Sequence, residues 1–210
     1  MSYLRRIGIN CFNVLRDIFV AAAERGMKEE LARRDGERGG HNLRWFTPDE
    51  AVVAEALARV IVPSDEGTPG IDEVDVFGPP ATVALDGLVA TSPYRQYLYS
   101  WGLLSFDVWA LKKHGCKFAE MTKVDQIGLF MAAQHINESM APGASKLARA
   151  WWKVRITLVA GYGSLFAANL YPQIRSDCLQ VFYTSRVSWV WLDYDGPPMD
   201  KGYPNLMERR

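Results

Sequence analysis

The stretch that decides the fold is residues 47–63, which read TPDEAVVAEALARVIVP. Thr47 supplies an N-cap hydroxyl, Pro48 suits the first helical position, and Glu50 stands three residues after the cap. Small and branched apolar residues then recur at helical spacing as far as Pro63, which cannot continue the helix. The stretch predicts a capped amphipathic helix.

Similar signals for the start and end of a helix recur along the rest of the chain. Ser92-Pro93 repeats the device of a cap followed by proline, and His114-Gly115 closes that helix because glycine suits the left-handed residue past a helix end. The predicted elements are helices over 81–89, 93–114 and 122–138, a helix from 145 onward, a turn over 169–172, and a last helix capped by Ser176 that runs to about Leu192. Alternating strand patterns do not persist for more than a few residues. We predict an all-α fold, an irregular helical bundle of about six to seven helices with an extended Pro/Gly-rich C-terminal tail.

The chain divides into four segments by pattern. Residues 1–34 hold an amphipathic helix predicted over residues 3–33, and the glycine-punctuated residues 35–46 form a linker. The helical domain is expected over residues 47–192, and residues 193–210 form the extended tail.

Composition restricts the class of partner. Lys plus Arg and Asp plus Glu are 24 each, so net charge gives no reason to expect nucleic acid or an anionic membrane. No apolar run approaches the ~20 residues of a membrane span, and membrane contact is not expected. Arg5-Arg6 is followed by a charged helix and not by a clean apolar signal region, which favours a cytoplasmic protein over a periplasmic one. The aromatic load of 7 Trp, 9 Tyr and 9 Phe indicates an aromatic core or a partner surface.

Catalytic chemistry is sparse in the sequence. His135 and Glu138 are three residues apart on one predicted helical face, as in a carboxylate–histidine metal pair, but the second pair that a di-iron bundle needs is missing. The acids between Asp65 and Asp75 lack the spacing of a calcium loop and are expected to be solvated. We therefore predict no catalytic, cofactor-binding or metal-binding residue in this chain.

Three stretches together resemble the gluconate 2-dehydrogenase subunit 3 family. They are Phe46-Thr47-Pro48-Asp49-Glu50 with Ile61-Val62-Pro63 and Thr68-Pro69-Gly70; Tyr94-Arg95 through Phe118-Ala119-Glu120; and Tyr194-Asp195-Gly196-Pro197-Pro198 with Gly202-Tyr203-Pro204. The resemblance covers about residues 43–205.

The resemblance implies a small helical subunit with no cofactor and no active site of its own. It implies a large FAD-dependent partner of the glucose-methanol-choline (GMC) type, which acts on sugars, sugar acids or glycosides and holds the flavin. An electron-acceptor subunit is a further partner that it allows. Family members often carry a twin-arginine export signal that takes the partner along, and this chain departs from that pattern at its start.

The tail is the predicted interface with that partner. A segment with fixed φ values loses less entropy on docking than a flexible one, and its aromatic rings can anchor it. The predicted contacts are Tyr194, Asp195, Gly196, Pro197, Pro198, Gly202, Tyr203 and Pro204. A tail folded back on its own helices is the other interpretation.

Two alternatives from other classes stay open at this point. One is a stand-alone helical enzyme that uses His135 and Glu138 with a metal. The other is a helical adaptor that binds peptides or lipids through the amphipathic N-terminal helix.

Overall fold

The computed structural model describes residues 25, 27–34, 43–76, 78–139 and 163–194. Within these ranges the chain is helical, without β-strands, as the sequence predicts. The α-helices are α1 Pro48–Ile61, α2 Ala81–Ala90, α3 Pro93–His114, α4 Lys123–Ser139, α5 Gly163–Tyr183 and α6 Arg186–Trp191. Short 3-10 helices cover Ile71–Val76 and Phe118–Glu120, and residues 27–34 are also helical.

The capping signals of the sequence appear as hydrogen bonds. The Glu50 N–H donates to the Thr47 hydroxyl and the Thr47 N–H donates to the Glu50 carboxylate, each at 3.1 Å. Ser92 caps α3 through the Arg95 N–H, and Gly115 ends α3 in the left-handed conformation at φ +77°. These local contacts place the helix ends where the sequence predicts them, because they satisfy backbone groups that have no partner inside the helix.

Helix α5 lies at the centre of the described core. It packs against α3 and α4, and its buried face carries Ala167, Ala168, Leu170 and Ile174. The core also includes residues from α1, α2 and both 3-10 helices. The arrangement is an irregular bundle, in which one long helix is surrounded by its neighbours.

The predicted turn over residues 169–172 is wrong, because α5 runs through it without a break. Pro172 has no N–H to donate to the Ala168 carbonyl one turn earlier. The Asn137 side chain of α4 supplies the missing donor, with its Nδ2 atom 2.9 Å from the Ala168 oxygen. Burial of α5 and this bond from a neighbouring helix allow the proline inside the helix.

The predicted cap of the last helix is also wrong. Ser176 lies inside α5, and the final helix begins at Arg186 with Ser185 as its N-cap. The Ser185 hydroxyl accepts the Ser188 N–H at 3.4 Å. Both serines fit the capping pattern, so the sequence pattern alone could not decide between them.

Two predicted elements lie mostly outside the described residues. These are the N-terminal helix before residue 25 and the helix from residue 145, which begins in the undescribed range 140–162. The tail after Tyr194 also lies outside. None of the helices in the described ranges combines the length and apolar character needed to cross a bilayer.

Candidate partner-binding surface

A cluster of large apolar side chains stays exposed where α5 and α6 end. We call Tyr183, Val190, Trp191, Leu192 and Tyr194 the C-terminal apolar patch. Val190 is 68% exposed and Leu192 is 50% exposed, although both lie in or directly after a helix. Several large apolar side chains exposed near one end of a domain are typical of sites that bind other proteins.

The length of α6 explains this exposure. The helix has six residues and buries Val187 and Ser188 against the domain. A helix of fewer than two turns has one buried face, so the apolar residues on its other side remain in solvent. The apolar patch is therefore a local consequence of the sequence after Ser185.

Trp191 is held in position although its side chain is 43% exposed. Its indole N–H donates to the Gly67 carbonyl at 3.2 Å, and its ring centroid lies 6.4 Å from that of Phe182. A fixed, partly exposed tryptophan loses little side-chain entropy on binding, and such residues often dominate interface energies.

The end of α6 forms a Schellman cap. Asp193 adopts a positive φ of +52°, and its N–H donates to the Val190 carbonyl at 3.3 Å. The Tyr194 N–H donates to the Trp189 carbonyl at 2.8 Å, and the two rings pack edge to face with centroids 6.2 Å apart. These two bonds and the apolar contact are the features of this motif. The cap turns the chain back across Trp189.

The buried carboxylate of Asp177 joins α3 to α5. From the described residues it receives four hydrogen bonds: two from the Arg95 guanidinium at 3.0 and 3.1 Å, one from the Tyr99 hydroxyl and one from the Gln173 amide, both at 2.9 Å. A carboxylate with this many charged and neutral donors serves to hold the two helices together.

The pKa values around Asp177 agree with a structural role. Burial, followed by the charge of Asp177, raises the pKa of the Tyr99 hydroxyl far above its ordinary value. Burial likewise raises the pKa of the Cys178 thiol, so this cysteine stays protonated and unreactive. The hydrogen bond to Asp177 raises the pKa of Arg95.

His135 and Glu138 do not come together with further ligands in the described structure. His135 is exposed, and the Glu138 carboxylate accepts a hydrogen bond from the Gln134 amide at 2.7 Å. No group of three or more His, Cys, Asp or Glu side chains within the described ranges is arranged to hold a metal ion. The loop acids Asp65 to Asp75 are exposed, as predicted.

Of the predicted interface residues, the structure describes Tyr194, which belongs to the apolar patch. The others, Asp195, Gly196, Pro197, Pro198, Gly202, Tyr203 and Pro204, lie outside the described residues.

Sequence reasoning missed several residues at this end of the molecule. Val190, Trp191 and Leu192 occur in a stretch that periodicity alone presents as an ordinary helix end. It also missed Asp86, whose buried carboxylate accepts the backbone N–H groups of Arg44, Trp45 and Phe46 and for which a lone acid in an apolar helical run was the available signal. The role of Asp177 had no such signal, because Arg175 and Ser176 precede it in a polar stretch.

The described residues define an all-helical domain with hydrogen-bonded carboxylates inside and an exposed apolar patch at the C-terminal end. A family model for gluconate 2-dehydrogenase subunit 3 matches residues 48–196. The chain therefore belongs to the gluconate 2-dehydrogenase subunit 3 family, as its three motifs indicate. Searches of curated proteins and of solved structures gave no match. Membership in a family of dehydrogenase subunits implies a partner chain.

Proposed function

We propose that this chain is the non-catalytic small subunit of a FAD-dependent oxidoreductase of the GMC type. Its large partner acts on sugars, sugar acids or glycosides and holds the flavin, while this chain holds no cofactor. The small subunit binds and stabilises the large chain or helps it to mature. A cytoplasmic location is part of the proposal, with export alongside the partner as the alternative.

The C-terminal apolar patch is the observation that carries this proposal. An isolated domain gains nothing from leaving Val190, Trp191 and Leu192 in solvent, whereas a subunit buries such residues in its complex. The patch also adjoins the tail that contains the third family motif. Patch and tail together form the proposed interface with the large chain.

The buried polar groups support a binding role over a catalytic one. From the described residues, the carboxylate of Asp86 accepts three hydrogen bonds and that of Asp177 accepts four. Such groups stabilise the helices and are not available to a substrate.

The proposal is tested by co-expressing this chain with a FAD-dependent GMC-type large chain from the same organism. Replacing Val190 and Leu192 together by Asp should lower the yield of flavin-containing complex by about tenfold or more, because two charges would be buried at the interface. Deletion of residues 195–210 should also lower the yield of flavin-containing complex. Co-purification, flavin absorbance and dehydrogenase activity of the complex are the measurements.

A matched control uses the exposed apolar residues of α4. Val124 and Met131 are 78% and 53% exposed, and their joint replacement by Asp adds the same charge far from the patch in sequence. Complex yield should be unchanged in this control. Equal yields from the patch variant and the wild type would refute the proposed interface, and a large chain that matures equally well alone would refute the proposed function.

A further inference from the structure

A cleft of about 400 Å³ lies next to the C-terminal apolar patch. It opens between the 3-10 helix Ile71–Val76, helix α2 and the junction of α5 with α6. Its apolar wall includes Val74, Pro79, Leu88, Val181 and Trp189, and Arg186 is the charged residue that lines it within the described ranges. This size suits a small ligand or a short stretch of extended peptide.

The end of α6 places Tyr194 next to this cleft. Trp189 forms part of the cleft wall and also contacts the Tyr194 ring. Because the Schellman cap at Asp193 turns the chain back across Trp189, Tyr194, the last described residue, lies beside the Trp189 wall of the cleft.

The tail has the length to reach the cleft. Pro197 is three residues beyond Tyr194, a span of at most about 10 Å for an extended chain. Sixteen residues follow Tyr194 in the sequence. The covalent link makes docking intramolecular, with an effective concentration on the order of millimolar for a short connection.

The chemistry of the tail suits the cleft. A Pro-Pro pair favours the polyproline II conformation and loses little entropy when it docks on an apolar groove with an aromatic wall. Asp195 and Asp200 flank the prolines, and their charge is opposite to that of Arg186. Such pairing favours one placement over others.

We propose that Pro197 and Pro198 occupy this cleft of their own chain when the subunit is free, and that binding of the large chain displaces them. The cleft thus keeps the tail bound until the partner arrives and limits exposure of its apolar residues. The displacement half rests on the proposed function, whereas docking in the free subunit does not.

Photo-crosslinking of the full-length free chain tests the docking. A benzophenone amino acid replaces Met199, next to the prolines, and in a second sample it replaces Met207 near the end of the tail. Crosslinks from position 199 should form within one chain to residues of the cleft wall and should greatly exceed those from position 207. Crosslinks to other surfaces, crosslinks between two chains, or no crosslinks would overturn the proposal.

A cleft-filling variant gives a matched comparison. Gln180→Trp places an indole in the cleft from an exposed position of α5, whereas Asn169→Trp adds the same ring to an exposed position of α5 outside the cleft lining. The first variant should lower the equilibrium constant for docking by about tenfold or more, which corresponds to a loss of about 1.4 kcal/mol, and the crosslink yield from position 199 should fall with the docked fraction. The second should leave the yield unchanged. Circular dichroism confirms that each variant is folded.

Hydrogen exchange gives a second measurement without substitution in the cleft. Deletion of residues 195–210 should increase exchange in peptides covering residues 74–90 and 180–192, and unchanged exchange would contradict the docking. Addition of the large chain should move the crosslinks from position 199 onto that chain. If no complex with the large chain forms, the proposed function is refuted, whereas crosslinks to the cleft in the free chain still support the docking of the tail. If the complex forms but the free chain gives no crosslink to the cleft, only the docking of the tail is refuted.

Discussion

At the scale of single residues, Asp86 has the most consequential role in the described structure. Its carboxylate is buried within α2 and accepts three consecutive backbone N–H groups, from Arg44, Trp45 and Phe46, the last two at 2.9 and 2.6 Å. These residues precede the N-cap of α1. Asp86 therefore fixes the position at which the chain enters the helical domain.

We expect Asp86→Asn to destabilise the protein by about 1–3 kcal/mol, because the amide offers one acceptor oxygen in place of two and leaves one or more of these backbone N–H donors, such as that of the buried Phe46, unpaired. Urea unfolding measures the effect. Asp72→Asn is the control, since Asp72 lies in an exposed ion pair with Arg59 and should contribute about 1 kcal/mol or less. A similarly small decrease in unfolding free energy in both variants would show that the hydrogen bonds of the buried Asp86 carboxylate contribute little to stability.

At the scale of elements, the contact between α3 and α5 depends on a glycine. A Cβ atom placed on Gly102 would lie 2.5 Å from the Leu170 Cβ, which is closer than two carbon atoms can approach. The absence of a side chain at residue 102 allows the two long helices to pack closely. Asp177 then ties the same pair of helices together through Arg95 and Tyr99.

Gly102→Ala should lower the free energy of unfolding by about 1–3 kcal/mol, because the added methyl group forces α3 and α5 apart. Thermal or urea unfolding is the measurement. Gly128→Ala is the matched variant: it also lies inside a helix, but no atom of the described residues stands within 4 Å of the added Cβ. It should stabilise the protein by about 0.5–1 kcal/mol through higher helix propensity. Changes of the same sign in both variants would contradict this account of the packing.

At the scale of the whole molecule, ion pairs attach the helical residues 27–34 to the domain. The Arg34 guanidinium lies 3.3 Å from the Asp107 carboxylate of α3, and both side chains are buried. Burial raises the pKa of Asp107, and the neighbouring guanidinium opposes this shift. Glu30 bonds to Arg33 and Arg34, and the hydrogen bond from Arg33 is the main cause that lowers the pKa of Glu30 to about 2.

The lowered pKa of Glu30 predicts a pH dependence for the stability of the protein, through ion pairs inside the helical segment 27–34. A carboxyl group with a lowered pKa in the folded state stabilises the protein above its ordinary pKa of 4.5, and this contribution disappears as the pH falls through about 2. At neutral pH, wild type should be more stable than Glu30→Gln by about 1 kcal/mol or less, because Glu30 is partly solvent-screened.

Urea unfolding at several pH values from neutral down to about 2.5 measures this difference. Comparing the two proteins at each pH cancels the contribution of Asp107, which both contain. The difference in unfolding free energy between wild type and Glu30→Gln should become smaller as the pH falls below 4.5. A gap that stays constant with pH would mean that Glu30 acts through packing and not through its charge.

The sequence by itself determined the all-α class, the start of α1, both ends of α3 and the family. The helix-end signals act on neighbouring backbone groups, so they can be recognised in the sequence without knowledge of the fold. They are cap hydroxyls, a proline at the first helical position and a glycine after the last one. The structure confirms two of these local signals, the capping box of Thr47 and the left-handed conformation of Gly115.

Only the tertiary structure decided which helix faces are covered and where polar groups find their partners. Periodicity places Tyr97 and Val108 on one face of α3, but the neighbouring helices leave both exposed. Pro172 stays helical because Asn137, 35 positions earlier in the sequence, supplies the donor that proline lacks. These outcomes depend on contacts between distant parts of the chain. Helical spacing does not indicate which other residues a helix face will contact.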